Sequence, residues 1–187
     1  MKKAILSGLS LAVVVALAIV TIHLFGSSSA QAQLSERSLV LVFTGSPVGE
    51  FRDIGGIMMD CFDLDITDPE SGRIIGSGSD CLDLASAMPI GDDGGFTLNN
   101  TQFFDLPGGR IVSSITTSIQ PVGAGSPGAT HTTGAVPDEG TNQIDDGDGR
   151  FRDAQGRVRL NGDVDLSLFG SDNIISFDCI FRIDFDD

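Results

Sequence analysis

Gly140–Leu168, GTNQIDDGDGRFRDAQGRVRLNGDVDLSL, carries the pattern that decides the fold. Val158, Leu160, Gly162, Val164 and Leu166 fall on one side of an extended chain, and Arg157, Arg159, Asn161, Asp163 and Asp165 on the other. A period of two is what a half-buried strand requires, with one face on a core and the other in water. Ahead of it, Asp146-Gly147-Asp148-Gly149-Arg150-Phe151 supplies a tight turn, because glycine and aspartate tolerate left-handed backbone better than other residues.

Seven further β-rich runs lie outward from this one, which is itself expected over Val158–Leu168. They are Leu39–Phe43, Ile57–Ile66, Arg73–Leu84, Phe96–Leu106, Arg110–Gln120, Thr130–Val136 and Ile174–Phe185. Turn chemistry separates them at Asp68–Gly72, Gly91–Gly95, Pro107–Gly109 and Pro121–Gly128. The Pro-Gly-Gly turn is short enough to make a hairpin of the runs on either side. Outside the N-terminal leader no helical periodicity of useful length occurs. Short strands with regular turn punctuation imply a sandwich or a closed barrel.

The turn and strand just described continue through Ala154, Gly156, Val158 and Leu160. Together with FDCIFRIDF at Phe177–Phe185, FFDLPGGRIVSS at Phe103–Ser114 and THTTGAVP at Thr130–Pro137, they resemble the allene oxide cyclase barrel and dirigent family. Members commonly carry a GGTGRF-like turn. Here Gly149, Arg150 and Phe151 match it while Asp146 and Asp148 depart. The resemblance implies an all-β fold, a small eight-stranded antiparallel barrel that often trimerises. It further implies closing or coupling of reactive small molecules inside the barrel without a cofactor. It carries no catalytic residue onto a position of this chain.

Residues 1–32 read as an export signal, with Lys2 and Lys3 before the apolar run Ala4–Phe25 and small residues ending at Ala30 and Ala32. Cleavage after Ala32 is the expected processing. An uncleaved anchor is the alternative, since about 20 apolar residues cross a bilayer. Residues 33–187 then form one barrel domain, exported to the periplasm or beyond, with no membrane association after cleavage. Of the 11 basic residues, removing Lys2 and Lys3 leaves 9 Arg against 26 acids, a formal charge of −17. Such a field repels phosphate backbones and argues against a nucleic-acid partner.

After the leader His131 is the only histidine, which excludes a multi-histidine metal site. Asp145, Asp146 and Asp148 lack the glutamate an EF-hand places at its twelfth position, and read as a turn. Neither metal nor cofactor is expected. Cysteines are odd in number: Cys61, Cys81 and Cys179. A hairpin closed by Pro69–Arg73 sets opposite each other residues whose numbers sum to 142, which pairs Cys61 with Cys81. Cys81 with Cys179 is the alternative, as these sit in the matching phrases SDCLD and FDCIF.

Polar residues on apolar strand faces are the candidate site, because burying a polar group needs a reason. Asp60 shares a face with Met58, Phe62, Leu64 and Ile66. Asn100 and Gln102 share one with Phe96, Leu98, Phe104 and Leu106, and Ser113 and Thr117 one with Ile111, Ile115 and Ile119. With those faces inward, Asp60 is the candidate acid or base, and Asn100, Gln102, Ser113 and Thr117 the candidate ligand contacts. Two functions stand open at this point. One is a cofactor-free cyclase or isomerase for an apolar small molecule, and the other is a non-catalytic carrier or structural barrel with a filled interior.

Overall fold

A computed structural model describes residues 38–122, 130–135 and 142–186. The leader, its cleavage point and residues 123–128 of the Gly-rich segment lie outside these. The strands are β1 (Ser38–Gly45), β2 (Glu50–Ile54), β3 (Ile57–Thr67), β4 (Ile74–Ile90), β5 (Gly95–Leu106), β6 (Gly109–Pro121), β7 (Thr130–Ala135), β8 (Gln143–Gly147), β9 (Gly156–Asp165) and β10 (Ser176–Phe185). Their neighbours run β1-β10-β9-β7-β6-β5-β4-β3, and β1 also pairs with β3. That last pairing closes an antiparallel barrel of eight staves. Two staves are interrupted. β2 continues β1 along the edge of β3, and β8 continues β7 between β6 and β9.

Each of the eight expected runs contributes a strand, and β2 and β8 are additions. The β2–β3 hairpin turns on Gly55 and Gly56, both at positive φ (62° and 90°), as a two-residue hairpin with right-handed strand twist demands. β4 runs on to Ile90 through an irregularity between Asp83 and Met88. β9 stops at Asp165, short of the expected Leu168, because the Asp165 carboxylate accepts the Ser167 N–H at 2.8 Å and turns the chain.

Phenylalanine fills much of the interior. Phe43, Phe104 and Phe181 are fully enclosed, with ring centroids 4.6 to 5.4 Å apart. Phe62 packs on Phe177 at 5.7 Å and on Phe169 at 6.4 Å, the latter from the helical turn Phe169–Asp172. Phe151 of the Gly149–Phe151 turn is buried and stacks on Phe185 at 6.2 Å. Met58 does not join the core. It is 62% exposed because β3 begins in the β2–β3 hairpin, beyond the stretch that β1 flanks.

Cys61 and Cys81 are bonded, with S–S 2.10 Å, across directly paired positions of β3 and β4. Cys179 is a free thiol, buried in the core. The disulfide lies on the opposite strand face from Phe62, packed with Met59, Ile54 and Phe103. A bond of this kind indicates oxidising surroundings. Among the described residues no helix is long and apolar enough to cross a membrane.

Candidate functional site

Inward-facing positions on neighbouring strands bring one polar group after another into the same barrel interior. Pairing sets Phe62 opposite Asp80, Asp80 opposite Gln102, and Gln102 opposite Ser113. Asn100 stands one inward step along β5 from Gln102. Of these side chains, Asp80 is 4% exposed and Asn100, Gln102 and Ser113 are no more than 2% exposed.

Their bonds run in one direction. Asn100 Nδ2 donates to Asp80 Oδ1 at 3.1 Å, and Gln102 Nε2 donates to the same oxygen at 3.0 Å. Ser113 Oγ donates to Gln102 Oε1 at 3.1 Å. A carboxylate accepts and an amide nitrogen donates, so Asp80 fixes which way each amide points. Burial away from water disfavours the charged form and lifts the Asp80 carboxyl from 3.8 to about 6, against the opposing pull of the two amide bonds.

Asp80 and Asn100 help line a small cavity with Leu82, Thr117, Thr133 and Cys179, walled beyond them by apolar side chains such as Val164 and Ile175. Its core measures about 20 Å³, and its void space counting the open approach about 330 Å³. The core has room for about one water. Asn100 Oδ1 and Thr117 Oγ1 are buried with no partner among the described residues. Each such group costs about 1–3 kcal/mol unless something bonds it. Both amides bond Asp80 Oδ1, which leaves Asp80 Oδ2 free of either of them.

The sequence-based site is therefore only partly assembled in one place. Asn100 and Thr117 line the cavity, while Gln102 and Ser113 support it from behind through the hydrogen-bond chain to Asp80. Asp60 is buried and shares the inward face of Phe62, but it is not part of the cavity wall. Its Oδ1 accepts Asn173 Nδ2 at 3.1 Å, and Asn173 in turn accepts the Gly49 N–H on its carbonyl at 2.7 Å. Asp60 thus ties the segment after the Phe169–Asp172 turn to β3, and the Asn173 carbonyl ties the same segment to the β1–β2 junction. Its Oδ2 has no partner among the described residues.

Asp60 is also not alone in bringing a carboxylate onto an inward face, since Asp80 does the same beside the cavity. Sequence reasoning misses Asp80, Thr133 and Cys179 as members of the site. The signal for Asp80 lies in the hairpin register, which sets residue 80 opposite Phe62 as surely as it sets Cys81 opposite Cys61. Burial pushes the Cys179 thiol up to about 12, so it stays protonated and unreactive at neutral pH. Among the described residues no group of three or more His, Cys, Asp or Glu is placed to hold a metal ion.

Compared with known proteins, the chain matches no family model and no curated sequence.

Proposed function

We propose that this is an exported barrel of the allene oxide cyclase and dirigent type that binds a slender apolar small molecule and guides its cyclisation or isomerisation without a cofactor. The observation that carries the reading is the lone carboxyl of Asp80 in a mostly apolar cavity, with unpaired oxygens of Asn100 and Thr117 beside it. Apolar walls restrict the conformers of a flexible substrate, and an acid that titrates near neutrality is suited to give or take a proton. In this role Asp80 replaces Asp60 as the preferred acid or base. Asn100 and Thr117 orient the substrate, and Gln102 and Ser113 hold Asp80 in place. A ligand larger than the core of the cavity would have to displace side chains at its open approach.

Cyclisation and isomerisation conserve atoms, so the reaction can be detected by mass without first identifying the substrate. Incubating the protein with a mixture of apolar small molecules from its source should deplete one component and produce another of identical mass, resolved by chiral chromatography. Asp80→Asn should slow that conversion by roughly 100-fold or more. No same-mass product, or conversion unaffected by Asp80→Asn, would remove the catalytic reading.

A second reading is favoured by the aromatic packing. With Phe43, Phe104 and Phe181 in mutual contact, most of the interior is filled, as a small eight-stranded barrel allows. The protein would then be a non-catalytic carrier or a structural module.

A further inference from the structure

Resting on the small-molecule reading above, we propose that the cavity selects a neutral hydrogen-bond donor, an alcohol on a short apolar body, over ketones, carboxylates and amines of the same skeleton. The direction of the internal hydrogen bonds carries this. Because Asp80 Oδ1 already accepts two N–H groups, the Asn100 amide must present its oxygen, not its nitrogen, as the unused end. The atoms these bonds leave over are two acceptors, Asp80 Oδ2 and Asn100 Oδ1, and the Thr117 hydroxyl, which serves as either, beside one remaining N–H of the Asn100 amide. A hydroxyl satisfies an acceptor and takes a bond from Thr117. A ketone only accepts, and leaves both acceptors unpaired.

Charge narrows the class further. A carboxylate ligand would meet Asp80 in a low-dielectric wall with no cationic side chain among the residues lining the cavity. An amine would find Asp80 but must shed its hydration against walls of Leu, Val, Ile and Phe. The neutral alcohol avoids both costs.

Protonation of Asp80 inverts the selection. With Oδ1 occupied by two donors, the proton resides on Oδ2 and turns an acceptor into a donor facing the cavity. Among the described residues, the other titratable groups of this interior are Asp60 on β3 and Cys179 on β10, with His131 on the same face of β7 as Thr133. Cys179 stays neutral through the range used below. Asp60 and His131 are common to wild type and variant. β5 and β6 offer Asp80 only the neutral Asn100, Gln102, Ser113 and Thr117.

The probes are 2-butanol, 2-butanone, butanoate and sec-butylamine, titrated by NMR against the folded protein at pH 8 and pH 5. Wild type at pH 8 should bind 2-butanol about 10-fold more tightly than 2-butanone, and more tightly than the two charged probes. That preference should shrink or reverse at pH 5. Asp80→Asn keeps its side-chain oxygen on the two amides and aims its NH₂ at the cavity, so it should favour 2-butanone at both pH values. Should the variant not fold, the wild-type preference between 2-butanol and 2-butanone at pH 8 decides the matter alone. Equal binding of 2-butanol and 2-butanone at pH 8, or tighter binding of sec-butylamine, overturns the donor selection and leaves the small-molecule reading intact. Absence of binding by all four overturns that reading itself.

Discussion

Replacing Asp80 by Asn should make the protein more stable at pH 8, although it removes a buried side chain's charge and touches the candidate site. The wild-type carboxyl is held at about 6 in the fold against an ordinary 3.8. Between those values the folded state holds a proton that the unfolded chain has released. Stability therefore falls as pH rises through that window, and above it the fold carries the full cost of an ionised, buried Asp80. The rise from 3.8 to about 6 corresponds to about 3 kcal/mol. The Asp80→Asn variant keeps both bonds from Asn100 and Gln102 and never ionises. Its advantage should be about 3 kcal/mol at pH 8 and fall to about 0.5 kcal/mol by pH 4. For a domain of this size that is a melting-temperature difference of roughly 6–12 °C at pH 8. Urea denaturation of both proteins from pH 4 to pH 8 measures it, and other carboxylates, being common to both, cancel in the difference. A difference independent of pH, or a wild type that is the more stable at pH 8, would refute the claim that burial strains this carboxyl.

Reduction of Cys61–Cys81, whose partners are 20 residues apart, should cost about 3 kcal/mol by the chain-entropy model, and urea midpoints with and without reductant check it. Cys179 should resist iodoacetamide in the native protein at pH 8 and react once unfolded, and native-state labelling found by mass spectrometry would contradict its burial. The exported form should begin at Gln33, and N-terminal sequencing that finds Met1 retained would favour the anchored alternative.

Strand alternation makes most of the barrel legible in the amino-acid sequence. β9 and β10 alternate inward apolar and outward polar residues almost without exception, and Asp60↔Leu82 through Ile66↔Gly76 keep the register expected for their hairpin. What escapes does so for physical causes. β2 is five residues long and largely polar, so its own pattern is weak, and only the Gly55–Gly56 turn marks it. β8 buries Ile144 alone and reads as part of a Gly/Asp turn. Asp80 is hidden because the inward face of its strand does not look apolar: two of its positions are Gly76 and Gly78. At Gly78 the missing side chain is a requirement, as a Cβ would lie 2.5 Å from the Phe43 ring. The apolar surface around Asp80 is thus supplied largely by other strands, and a search of one strand at a time passes over it. Asp60 stands out by the same logic in reverse, since its own strand supplies Phe62, Leu64 and Ile66.

The claim that the Asp80 cavity is a binding site is tested most directly by methyl NMR of the folded protein during titration with 2-butanol. Saturable shifts centred on the methyls of Leu82, Thr117, Leu160, Val164 and Ile175, and lost when Leu82 is enlarged to Phe to occupy the space, are the predicted result. Shifts scattered over the surface, or none up to the solubility limit, would contradict it and leave the filled structural barrel.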